Sequence, residues 1–162
     1  MQKDLDFFRK EYAKQKKLEK IVKSRVLLRP NVKKRQVAIT FAILPFLFAA
    51  TIILPILTDF DILIKIIFIL TAIWIIFEIY FRFCLIILVK YYQRTAKEET
   101  RRRCKCIPSC SEYAIITLKK IFPLVWALIK IRKRLRITCN GEEYKIDFPI
   151  KKMGEDFESK LQ

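Results

Sequence analysis

The chain has 162 residues, 53% of them hydrophobic, and a net charge of +17, and these two properties lie in separate blocks. With two Gly and no His, it is poorly supplied for Gly-rich phosphate loops and excludes His-based catalytic or metal sites. Five Cys in so basic a chain fit a reducing face, where thiols act as metal ligands or packing residues more often than as disulfides.

Met1 to Arg35 holds 13 Lys or Arg against 4 Asp or Glu. Leu5, Phe8, Tyr12, Leu18, Ile21 and Val22 roughly trace one helical face, and Pro30 is expected to end that helix. Residues 1–36 therefore read as a basic cytoplasmic arm, either solvated or resting on anionic lipid headgroups or ribosomal RNA. No small-residue cleavage pattern follows the first apolar run, so that run is expected to stay in the mature protein.

From Val37 to Phe81 the chain holds one Lys and no Arg, which predicts a transmembrane hairpin over 37–81. Of the 21 residues Val37 to Leu57, 13 are Ile, Leu, Val or Phe, enough at about 1.5 Å per residue to cross a core of about 30 Å. Pro45 and Pro55 are expected to kink this span, or Pro55 to mark its outer end. A connector of Thr58, Asp59, Phe60 and Asp61 joins it to a second span over 62–81, in which 14 of 20 residues are Ile, Leu or Phe. Lys65 can snorkel, and Glu78 is placed to pair with Arg82 four residues on. Bases crowd both flanks of the hairpin and none lies in the connector, so both termini are expected in the cytoplasm.

Beyond Phe83 the chain stays apolar to Val89 and then turns polar, as a helix leaving the bilayer along its interface would. Ser109 and Glu112 form a capping box, which predicts a helix start there, with Pro123 breaking that helix. A second helix is predicted from Pro123 to about Arg136. Leu124, Leu128, Ile131 and Leu135 form its apolar face, while Lys130, Arg132, Lys133, Arg134 and Arg136 cover most of the rest. Such a helix suits an anionic membrane surface with Trp126 at headgroup depth, or else a small helical core with a solvated face. Asn140-Gly141 favours a type I′ turn, so Ile137 to Cys139 and Glu142 to Ile146 can pair as a short β-hairpin near the C-terminus. The tail 150–162 is polar and expected to fray.

Several of these residues resemble the YidD family, also called the haemolytic domain family and described as membrane protein insertion efficiency factors. The family hallmark is a Cys, a base, an aromatic, any residue, Pro, Thr, Cys, Ser, any residue, Tyr. Cys104, Lys105, Pro108, Cys110, Ser111 and Tyr113 occupy those places, and Ser109 replaces the Thr. Tyr92 and Gln93 resemble an upstream Tyr-Gln pair, Trp126 and Lys130 a downstream Trp and Lys, and Asp147-Phe148-Pro149 the family's ending. Cys106 stands where the family has an aromatic, and Cys139 lies about one helical turn past the family's distal Cys. The hairpin is additional, because typical members resemble short chains with an amphipathic N-terminal helix.

The resulting expectation is a mainly α protein: a two-helix transmembrane hairpin followed by a small Cys-containing helical module at the interface, residues 82–149. The resemblance implies a non-enzymatic accessory factor for membrane protein insertion, beside an insertase and nascent membrane proteins and with no cofactor. The basic residues add anionic lipid headgroups and possible ribosome contact. A membrane-permeabilising protein and a membrane-tethered ribosome or RNA adaptor are the alternatives. Tyr92, Gln93, Cys104, Pro108, Cys110, Ser111, Tyr113, Trp126, Lys130, Lys133 and Arg134 are the candidate partner- or lipid-binding residues. Cys104, Cys106, Cys110 and Cys139 lack the usual two-residue gaps of zinc ligands and are expected to be packing thiols, with a four-thiolate zinc site or a redox pair as alternatives. A Cys nucleophile would have no His as its base.

Overall fold

The computed structural model describes residues 2–57, 61–139 and 143–159. In chain order these form α1 (Gln2–Ser24), α2 (Lys34–Ile56), α3 (Ile62–Ile75), α4 (Arg82–Thr95), α5 (Glu98–Arg102), β1 (Cys106–Ile107), α6 (Cys110–Lys120), α7 (Leu124–Lys133), β2 (Lys145–Ile146) and α8 (Lys151–Ser159). The mainly helical expectation therefore holds. The chain divides into two compact units: one joins residues 1–29 to 95–162, the other is 30–94.

In the second unit, α2 and the rod Ile62–Thr95 are both long and apolar enough to cross a membrane. A π-helical segment, Ile76–Phe81, joins α3 to α4 within that rod. Pro45 and Pro55 both lie inside α2. The Tyr80 hydroxyl, late in the rod, donates to the Thr40 carbonyl, early in α2. The two helices are thus antiparallel, as a short connector requires, although residues 58–60 of that connector lie outside the described residues. Near the base of the pair, Arg94 donates to Asn31 Oδ1 (3.0 Å) and to the Val32 carbonyl (2.9 Å). Glu78 and Arg82 form the expected ion pair, and both side chains are buried. Burial removes any need to snorkel, since each charge meets its opposite one helical turn away.

In the first unit, the N-terminal arm is part of the fold rather than a separate segment. α1 ends at Ser24, short of Pro30, and its Leu18 and Val22 form a buried cluster with Ile107. Ile21, Tyr144, Ile146, Phe148 and Phe157 pack against that cluster. Full burial of each such aliphatic side chain contributes about 1.5–3 kcal/mol, which offsets the ordering of the arm. Only the C-terminal half of the predicted α1 face is used, for Leu5, Phe8 and Tyr12 remain exposed.

β1 and β2 pair in parallel, with Cys106 opposite Lys145 and Ile107 opposite Ile146. The expected hairpin is not formed by its predicted arms. Ile137 and Thr138 lie in a π-helical turn, Arg134–Thr138, that continues α7, so only the later arm is extended, and it pairs with the Cys-rich segment instead. The Asn140-Gly141 turn lies outside the described residues. Two residues of strand are marginal alone, and here the helices support them. Beyond Pro149 the expected frayed tail is helical through α8, with Phe157 against Phe148 at a ring separation of 5.5 Å.

Candidate functional site

The Cys-rich segment enters α6 through the predicted capping box. Ser109 Oγ accepts from the Glu112 amide (3.4 Å), and the Ser109 amide donates to Glu112 Oε2 (2.9 Å). α6 stops at Lys120, and Pro123 caps α7, so the predicted break is present. α6 and α7 pack together through buried Ala114, Thr117, Leu118, Leu124 and Ala127.

α7 divides into two faces. Leu124, Ala127 and Arg134 are buried and Leu128 and Ile131 partly so, while Leu135, expected inward, is 54% exposed. The exposed face carries Phe122, Val125, Trp126 (59% exposed) and Ile129, with Lys130, Arg132, Lys133 and Arg136 among and beyond them. Helical spacing of three and four aligns these apolar and basic residues. The arrangement can hold an apolar partner and an anionic one together.

Arg134 does not belong to that surface, contrary to the expectation. It is 2% exposed and donates to the Asp147 carboxylate (3.0 Å), the Asp147 carbonyl and the Pro108 carbonyl. Its guanidinium carbon also lies 4.1 Å from the centroid of the Tyr113 ring, a cation–π contact. Ordinary helical spacing accounts for the difference, because Arg134 follows Ala127 and Ile131 by seven and three residues on the buried face, and Leu135 turns outward. Pro108, Tyr113 and Arg134 are therefore joined in one buried network. Burial raises the Tyr113 phenol above its usual pKa.

The cysteines converge. Cys104 Sγ lies 3.3 Å from both Cys110 Sγ and Cys139 Sγ, and the sulfurs of Cys104, Cys106 and Cys139 all lie within 4.8 Å of one another. All are free thiols. Contacts from Cys106, Cys110 and Cys139 hold the Cys104 thiol far below its usual pKa; the same sharing pushes Cys106 up to about 11 and raises Cys110 and Cys139. Such a cluster favours one thiolate bridged by its neighbours. The Cys110 amide donates to Cys104 Sγ (3.4 Å), and the Cys139 amide reaches the Arg134 carbonyl (2.9 Å), which closes the π turn.

Arg25, not anticipated from sequence, secures this loop. It donates to the carbonyls of Arg101 (2.9 Å), Cys104 (3.0 Å) and Cys106 (3.2 Å), while Arg102 donates back to Lys23 (2.8 Å). One base among 13 in the arm carried no distinguishing signal. Gln15, likewise missed, makes paired bonds with the Tyr144 backbone at 3.3 and 3.0 Å.

The remaining candidates stand elsewhere. Tyr92 is exposed and Gln93 buried, both on α4 in the other unit. Ser111 lies beside Ser109, their hydroxyls 3.4 Å apart. Lys130 is exposed but donates to the Pro149 carbonyl (3.4 Å), and Lys133 is exposed.

Neither curated proteins nor solved structures give a match to the chain. Residues 81–145 match the model of one family, YidD, described as "putative membrane protein insertion efficiency factor". The match contains the capping box, the cysteine cluster and both faces of α7. Residues 81–145 are thus similar to the YidD family, and this chain joins that segment to two apolar helices and a basic N-terminal helix.

Proposed function

We propose that the protein is a non-enzymatic accessory factor for the insertion of proteins into the cytoplasmic membrane, acting beside an insertase. In this reading α2 and the rod Ile62–Thr95 span the bilayer, and both termini lie in the cytoplasm. The observation that carries it is the exposed face of α7 within the matched family segment. Phe122, Val125, Trp126 and Ile129 are suited to acyl chains or emerging apolar segments, and Arg132, Lys133 and Arg136 to anionic headgroups. Each base near an anionic surface contributes about 1 kcal/mol, so together they hold the helix at the interface. The N-terminal half of α1 adds exposed Leu5, Phe8 and Tyr12 among further bases.

The test is the triple substitution Arg132→Glu, Lys133→Glu and Arg136→Glu in the full chain. The variant stays in the membrane fraction through its two apolar helices, while newly made membrane proteins insert more slowly. Unchanged insertion kinetics in both this variant and a complete deletion would overturn the proposal and favour the membrane-permeabilising or ribosome-adaptor reading.

A further inference from the structure

We infer that Cys104, Cys106, Cys110 and Cys139 form a structural zinc site that fastens β1, α6 and α7 together. The four thiols come from four places: the loop before β1, β1 itself, the first residue of α6, and the residue after the π turn that extends α7. No local packing rule brings together thiols 2, 6 and 35 residues apart. A tetrahedral zinc with bonds of about 2.3 Å sets its sulfurs about 3.8 Å apart. For Cys104, Cys106 and Cys139 the 3.3 Å contact and the 4.8 Å limit bracket that edge, and Cys110, 3.3 Å from Cys104, completes the set by rotation of its side chain.

The chemistry of the surroundings selects a metal over a disulfide. Cys104 touches Cys110 and Cys139 at equal distance, so a bond to either leaves the other thiol and Cys106 crowded against it. A metal uses all four. Four thiolates around a divalent ion carry a net charge of about −2, which needs compensation in a partly buried setting. The guanidinium of Arg25, which clasps the backbone of Cys104 and Cys106, lies close enough to supply part of it. The amide of Cys110 already donates to Cys104 Sγ, the kind of outer bond that orients a thiolate ligand.

Cys106 gives the site its fourth ligand from within β1, so the ion would tie the strand to α6 and α7. The adjoining buried cluster is small, built on Leu18, Val22 and Ile107, and a module of this size gains from a metal staple. Cys84 is buried in α4, in the other unit, and takes no part.

The full chain, purified in detergent without a metal-binding tag, is measured for zinc by elemental mass spectrometry and then loaded with cobalt(II). We expect about one zinc per chain and cobalt spectra with thiolate charge-transfer and tetrahedral ligand-field bands. Cys104→Ser abolishes both, Cys106→Ser weakens binding, and Cys84→Ala leaves them intact. Should Cys104→Ser fail to fold, chelation of the unaltered protein still decides: its thermal midpoint falls and zinc restores it. Zinc-free protein from zinc-supplemented cells with all four thiols alkylated in the folded state would overturn the inference. So would a disulfide from Cys104 found by non-reducing peptide mapping.

Discussion

Arg134 illustrates how one residue changes meaning between sequence and structure. Its position in a run of bases made it one more surface charge, yet it ties Asp147, Pro108 and Tyr113 into the centre of the module. A buried guanidinium whose carbonyl and carboxylate partners lose their donor leaves unsatisfied acceptors, at about 1–3 kcal/mol. Arg134→Met should therefore lower stability by about that amount, whereas Lys133→Met, on the exposed face, should stay within about 0.5 kcal/mol. Thermal unfolding of the two variants in detergent checks this, and equal effects would return Arg134 to the surface. Residues whose signal is local were legible: Ser109 and Glu112 form their capping box because it needs three residues of chain and nothing more. Arg25 and Gln15 were not, because each acts on backbone about 80 or 130 residues away and no periodicity marks such a bond.

At the scale of elements, the apolar helices and the break at Pro123 were legible because composition and proline act within a single segment. Pairings across the chain were not. β2 was visible as an extended segment, but its choice of β1 depends on where α1 and α7 place Ile107 and Asp147. The second apolar rod raises a different matter, since Glu78 and Arg82 are buried in it together and wound through a π segment. Removing one member of such a pair strands a charge and costs about 3–5 kcal/mol, while replacing both with uncharged residues of similar volume is often close to neutral. Glu78→Ala alone should accordingly reduce the steady-state level of the protein in membranes far more than Glu78→Gln combined with Arg82→Met. Equal accumulation would make the pair incidental to the fold.

Across the whole molecule, charge is partitioned as the proposed orientation requires. Thirteen bases lie within residues 1–35 and eighteen follow Val89, while the connector 58–61 holds two acids and no base. Only bases within about 15–20 residues of a span act strongly on orientation, and eight of the N-terminal thirteen lie between Lys17 and Arg35. That proximity separates the proposed topology from a mere excess of charge in distant domains. The first unit adds a structural reason for the two ends to share a side. α1 packs with the Cys-rich loop, β2 and α8, so the N-terminal arm and the C-terminal module form one folded body, and a body cannot close across a bilayer. A reporter active only in the cytoplasm should work when fused before Met1 or after Gln162 and fail when inserted between Asp59 and Asp61. Changing Asp59 and Asp61 to Lys should leave this pattern unchanged, since two added bases face eight on the N-terminal flank alone. Activity at the connector, or loss of activity at either end, would show that the two apolar helices do not form a two-pass hairpin. It would also remove the cytoplasmic surface on which the insertion reading depends.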